Sequence, residues 1–187
     1  MTLTAPGWQH QYAMVNNIQM HWVEQAAGVP AARGTVVFCH GFPMLWFSWY
    51  RQIPVIAAAG YRVIAPSMRG MGQSEAPEEP EAYGVDEITA DLVGLLDHCG
   101  VEQAIFVGID FGAFAIQDLA LRHPQRVQAI ICLENPAAPH NPDKPPLTEY
   151  REMGEQHFLH IEYFRVPPRA DIELAAAPRE FLRKVMW

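Results

Sequence analysis

Short apolar runs alternate with helically spaced apolar positions through most of the 187 residues. Residues 11–24 alternate polar and apolar on either side of Asn16-Asn17. That is the pattern of a β-hairpin closed by a tight turn, since asparagine tolerates the positive φ such a turn requires. Residues 35–39 (Thr-Val-Val-Phe-Cys) and 61–65 (Tyr-Arg-Val-Ile-Ala) read as buried strands, the second closed by Pro66. Between them, residues 46–59 can be helical, with Pro54 bending or breaking the run. A glycine-punctuated loop at 67–74 and an acidic, proline-rich loop at 77–80 follow. Ile88, Leu92, Leu95, Leu96 and Cys99 repeat at helical spacing, and Gly100 stops that helix. Residues 104–107 form another strand, a helical pattern runs on to His123 before Pro124, and 127–133 is a further strand. Strands alternating with helices predict an α/β fold whose mostly parallel sheet is covered by helices on both faces.

The character of the chain changes at Glu134. Pro136, Pro139, Pro142, Pro145 and Pro146 crowd one segment, which predicts an extended connector. Two helical stretches come after it, 147–164 and 172–185, separated by Pro167-Pro168. The organisation expected is an α/β core over 1–134 and the start of a helical subdomain over 135–187.

The densest chemical signal lies between strand 104–107 and the helix after it. Gly108 and Gly112 bracket Asp110 in a turn so tight that side chains at the flanking positions would strike backbone. Asp110 is thereby held up at the C-terminal edge of the sheet and at a helix N-terminus, which favours negative charge. This is the geometry of a nucleophile elbow, with Asp where esterases carry Ser. A serine attacking a saturated carbon leaves an ether, which water does not readily cleave. A carboxylate leaves an ester that a second step can hydrolyse, so Asp points to an electrophilic sp3 carbon such as that of an epoxide or alkyl halide. The plainer alternative is that Asp110 only caps the helix.

Composition narrows the partners. A net charge of -8 argues against nucleic acid and anionic membranes. No run is apolar enough to span a bilayer, and the first residues lack a signal peptide's basic start. Cys39, Cys99 and Cys132, odd in number and in apolar contexts, read as buried thiols of a cytoplasmic protein. His157 and His160 are the nearest pair with metal-like spacing and lack further ligands, so neither a metal nor a cofactor is expected.

Together with the elbow, His40-Gly41-Phe42-Pro43, Trp46-Phe47-Ser48-Trp49, Gly60-Tyr61-Arg62-Val63-Ile64-Ala65-Pro66, Arg69-Gly70-Met71-Gly72-Gln73-Ser74, Tyr163-Phe164 and Glu173-Leu174 resemble the epoxide hydrolase branch of the α/β-hydrolase family. The resemblance runs from about Trp8 to Trp187. It implies that Asp110 is the nucleophile and that the backbone N–H groups of Phe42 and Phe111 form the oxyanion hole. It implies a cis peptide before Pro43, aiming the Phe42 N–H inward. Phe42, Trp46, Phe111, Tyr163 and Phe164 become the candidates for contact with a small apolar epoxide. His40 precedes the oxyanion turn and reads as a hydrogen bonder rather than a base.

The departures from the family pattern also carry information. Ile109 and Phe111 replace the usual His and Trp around the nucleophile, and the Phe weakens a haloalkane dehalogenase reading. Ser67 replaces the usual Asp before Met68-Arg69-Gly70, and His160 stands where the family's first lid tyrosine donates to the epoxide oxygen. The family carries its relay acid and water-activating histidine on strands after the cap, and none of the eight histidines here has that context. The expectation is therefore the N-terminal portion of such an enzyme, truncated within the cap. The 127–133 edge would be left open to a second copy or a separate C-terminal fragment. A non-catalytic homologue or ligand receptor on the same fold is the main alternative.

Overall fold

The structure is a computed structural model, and it describes residues 7–136, 143, 146–156, 160–165 and 167–186. The chain divides into two compact units, Met1–Ala137 and Ala138–Trp187.

The first unit is built on a six-stranded sheet. β1 (Gln9–Val15) and β2 (Ile18–Gln25) form the hairpin, and Asn16 and Asn17 take φ values of 45° and 64° in its turn. β3 (Thr35–Cys39), β4 (Arg62–Pro66), β5 (Ala104–Ile109) and β6 (Val127–Leu133) complete the order β1-β2-β4-β3-β5-β6. β1 pairs antiparallel with β2, and β2 with β4; all other pairs are parallel. Alternation along the central strands feeds two apolar layers. Val36, Phe38, Val63 and Ala65 face a layer with Trp49, Ile53 and Ala57. Val37, Cys39, Ile64 and Phe106 face Leu92, Leu95, Leu96, Ile116 and Leu119.

Helices supply the outer side of each layer. α1 (Gln52–Ala58) covers the first; α2 (Val85–His98) and α3 (Phe111–Arg122) cover the second. The expected helix over 46–59 is two elements, a 3₁₀ turn at Trp46–Trp49 and then α1. Pro54 sits in the first turn of α1, where an N–H has no intrahelical acceptor to lose, so the proline does not bend it. Gly100, at φ 65°, ends α2 as expected.

β6 is an edge strand. Ile130 and Cys132 turn toward the α2–α3 layer, whereas Ile131 and Leu133 on the opposite face are 50% and 39% exposed. Only Cys39 of the three thiols is buried, which corrects the expectation for Cys99 and Cys132. Burial pushes the Cys39 thiol up to about 12.

The second unit consists of α4 (Pro146–Gln156), α5 (His160–Phe164), α6 (Arg169–Ala176) and α7 (Pro178–Met186). Among the described residues helix covers 146–156, 160–164, 169–176 and 178–186, where the sequence predicts two stretches. Pro178 starts a new helix at N1 and so divides the second stretch. The first stretch crosses 157–159, outside the described residues, as do His157 and most of the proline-rich connector. Within this unit Phe164 packs its ring 6.0 Å from that of Phe181, and the Arg169 guanidinium lies 4.8 Å over the Tyr163 ring. No helix among the described residues is long and apolar enough to cross a membrane.

Candidate active site

Asp110 joins the end of β5 to the start of α3 with φ 53° and ψ −125°, a conformation that costs an L residue steric energy. The turn closes because its neighbours lack side chains. A Cβ at Gly112 would lie 2.2 Å from the Cys39 carbonyl oxygen, and one at Gly108 would lie 2.4 Å from that of Gly112. α3 therefore starts in direct backbone contact with β3. The Asp110 carboxylate makes no capping bond to the helix it precedes. It turns toward the loop after β3, where the Phe42 N–H donates to Oδ1 at 2.7 Å. A Cβ at Gly41 would overlap that same oxygen, at 2.2 Å, so Gly41 gives the carboxylate its room. The Phe42–Pro43 peptide is cis, as expected.

His40 ties this loop to the segment after β4. Its Nδ1–H donates to the Gly41 carbonyl at 2.9 Å, and its Nε2 accepts from the Met68 N–H at 3.0 Å. Both bonds suit the neutral ring, and burial holds the His40 pKa below its ordinary value against the pull of the Gly41 carbonyl and Asp110. The ring has no nitrogen to spare for a proton transfer.

Arg69 anchors the same segment from below. It forks onto Asp91 of α2 at 2.8 and 2.5 Å, Asn16 adds a third bond to that carboxylate at 2.9 Å, and the Asn16 carbonyl accepts from Arg69 at 3.2 Å. The bond to Asp91 raises Arg69 above its ordinary value, keeping it charged.

A cleft of about 450 Å³ opens beside the turn. Met68, Met71, Tyr83, Ile88, Phe111 and Phe114 give it an apolar wall. Phe111 and Phe114, 54% and 41% exposed, are large apolar groups presented to solvent on this wall.

The structure thus brings together Asp110, Phe42 and Phe111, the last as the first residue of α3 with one of the amides that have no intrahelical acceptor. Trp46 is placed elsewhere. It is buried in the α1 layer, edge-on to Trp8 at 5.4 Å and His10 at 5.3 Å, and it is not part of the cleft wall. His160, Tyr163 and Phe164 all lie on α5 in the second unit, the His160 ring 5.9 Å from that of Phe164. Sequence reasoning missed Met68, Met71, Tyr83 and Ile88, because the cleft gathers them from separate segments with no shared periodicity.

The protein-family model described as the alpha/beta hydrolase fold matches residues 34–159. The chain belongs to the α/β hydrolase fold family. Among curated members it is 43% identical over 171 residues to epoxide hydrolase A of Mycobacterium tuberculosis, an alignment covering 91% of this chain and 52% of that protein. It is 39% identical over 166 residues to bifunctional epoxide hydrolase 2 of Sus scrofa, covering 88% and 29%. Among solved family structures, epoxide hydrolase A from Mycobacterium thermoresistibile superposes with a TM-score of 0.86 at 40% identity, covering 95% of this chain and 55% of that one. The chain spans about half the length of the mycobacterial relatives it matches.

Proposed function

We propose that the chain forms the nucleophile-bearing part of an epoxide hydrolase, with Asp110 as the nucleophile. The observation that carries this reading is the Phe42 N–H bonded to the Asp110 carboxylate at a strained turn, in a chain whose relatives are epoxide hydrolases. The bond distinguishes the two carboxylate oxygens. Oδ1, held by the amide, becomes the carbonyl oxygen of the ester, which leaves Oδ2 to attack.

In the first step Oδ2 attacks an epoxide ring carbon and the C–O bond breaks. The released alkoxide takes a proton from a donor, for which His160 is the candidate in this sequence. In the second step a water oxygen attacks the ester carbonyl carbon and gives up a proton to a base. Negative charge gathers on Oδ1, where the Phe42 and Phe111 N–H groups stabilise it. Collapse of that intermediate breaks the bond to the alkyl oxygen, restores the Asp110 carboxylate and, with the proton returned, releases a diol. His40 is not the base, since backbone groups occupy both its nitrogens.

Phe111 and Phe114 suit a small apolar epoxide, with Phe42, Tyr163 and Phe164 as further contacts. Residues 135–187 are read as the start of a helical cap domain and 1–134 as the N-terminal part of the core, in a cytoplasmic protein. The β6 edge is read as a pairing surface for a second copy or a C-terminal fragment.

The test is to incubate the 187-residue chain with styrene oxide and follow intact mass and mapped peptides. One substrate mass on Asp110, absent in Asp110→Asn and absent with a chloroalkane, is the expected result. Labelling spread over surface histidines and cysteines with Asp110 clean would overturn the assignment.

A further inference from the structure

Behind the loops that hold Asp110 lies a pair of imidazoles, His21 buried and His10 half-buried, that the chemistry above does not use. The His21 ring, fully buried on β2, meets His10 of β1 through Nε2 at 2.9 Å from His10 Nδ1. Its Nδ1 lies 2.9 Å from the Ser67 hydroxyl oxygen. Ser67 is held from every side. Its N–H donates to the His21 carbonyl at 2.9 Å, and its carbonyl accepts from the Ser74 hydroxyl at 2.7 Å. The Ser74 oxygen in turn accepts from the His21 N–H at 2.9 Å. The residue after Ser67 is Met68, whose N–H aims at His40 Nε2, and the other His40 nitrogen holds the Gly41 carbonyl. The residue after Gly41 is Phe42, whose N–H holds Asp110. A continuous series of hydrogen bonds and single peptide links thus runs from the His10–His21 pair to the carboxylate.

We propose that His21 is a positioning residue for Asp110, acting through Ser67, Met68 and His40, and that the His10–His21 pair must carry no more than one proton to do so. The step from geometry to charge is short. Two neutral imidazoles share one hydrogen between facing nitrogens, and a single proton still leaves a donor opposite an acceptor. A second proton puts two cations 2.9 Å apart, one of them on a fully buried ring, and the contact opens.

Among the described residues, the groups that meet the His21 ring include no carboxylate. From β1 come His10 and Tyr12, whose hydroxyl donates to the Gln73 side chain at 2.9 Å. From the loop after β4 come Ser67 and Ser74, and from the 3₁₀ turn the Trp46 ring, 6.4 Å away. Glu75 sits farther along β2, on the Gln19 N–H at 2.8 Å. Ser67 matters here because a carboxylate at that position would form an ion pair with a protonated His21, whereas a hydroxyl serves only the neutral or singly charged pair. Burial and His10 together lower His21 to about 4, in keeping with this.

The proposal rests on Asp110 being the nucleophile only for its functional meaning, so its test reads the bond rather than turnover. Amide resonances and hydrogen exchange at Phe42 and Met68 are measured in the wild type, His21→Gln, Ser67→Ala and Ser67→Asp. Near neutral pH, His21→Gln and Ser67→Ala are expected to speed exchange at both amides about tenfold, the loss of roughly one hydrogen bond. They should also shift the Phe42 amide away from its carboxylate-bonded position. In the wild type the Phe42 amide should move with the same midpoint as the His21 ring. Ser67→Asp should raise that midpoint by about one unit or more. Carboxyl carbon shifts separate the protonation of Asp110 itself.

If His21→Gln fails to fold, Ser67→Ala, which leaves the ring in place, carries the test alone. A Phe42 amide that ignores both the ring and the variants would overturn the proposal. Amides that respond as expected in a chain that never forms the Asp110 ester would keep the positioning role and reject the epoxide reading.

Discussion

Asp91 to alanine is the substitution whose cost the structure lets us work through. Arg69 and Asp91 form a two-pronged ion pair with side chains only 5% and 2% exposed. Asn16 closes the third side, donating to the carboxylate at 2.9 Å and accepting from the guanidinium at 3.2 Å. Removing the carboxylate strands a buried cation whose remaining anionic neighbour is Glu87 at 3.8 Å, on a side chain 46% exposed. Breaking one half of such a pair costs about 3–5 kcal/mol, because the survivor keeps its desolvation penalty without its partner. Against a typical domain stability of about 5–15 kcal/mol, that is at least about a fifth of the whole.

Replacing both partners, as Arg69→Met with Asp91→Leu, removes the stranded charge as well. The double variant should lie well above the sum of the singles. Urea unfolding followed by tryptophan fluorescence near neutral pH gives each value. A loss below about 1 kcal/mol for Asp91→Ala, or strict additivity in the double variant, would refute the reasoning.

Other outcomes follow from single features. Gly112→Ala places a methyl 2.2 Å from the Cys39 carbonyl, a backbone atom with little room to give. It should cost at least the 1–3 kcal/mol or so typical of overpacking and abolish labelling of Asp110, so a folded, fully labelled variant would count against the turn described. His21 falls from its ordinary 6.5 to about 4 on folding, so between those values the unfolded chain binds a proton that the folded chain does not. Stability should therefore fall with falling pH across that window by at most about 3 kcal/mol, and His21→Gln should flatten the profile; parallel profiles would remove His21 as the cause. Ile131 and Leu133 leave an apolar face on the β6 edge. Sedimentation velocity of the 187-residue chain should show dimers or larger species that Ile131→Lys reduces, and a sharp monomer in the unsubstituted chain would contradict this.

What was legible in the sequence was local. Asn16-Asn17, Gly100 and the Gly108–Gly112 pair each announce one local backbone arrangement, and the chain adopts each of them. The continuous apolar run at 35–39 announces a strand buried on both faces, and Val36 and Val37 enter opposite layers. What was not legible depends on partners far along the chain. Arg69 reads as one charge in a loop until α2 delivers Asp91 and the hairpin delivers Asn16. Trp46, close in sequence to the Phe42–Pro43 turn, is drawn into the core by Trp8 and His10 from β1. Cys132 follows a buried pattern, yet it lies on an edge strand whose exposure depends on sheet order and not on its own neighbours.

The apex at Asp110 has a further consequence. Its φ of 53° excludes β-branched side chains on steric grounds, but it is set by Gly108, Gly112 and the backbone of β3 rather than by the carboxylate. The turn therefore accommodates any short unbranched side chain, and the Phe42 amide faces whatever stands there. Serine or cysteine at this position would meet the same backbone and the same donor. The scaffold of the apex is separable from the group it presents: exchanging the side chain changes the presented atoms while the backbone that holds them stays as it is.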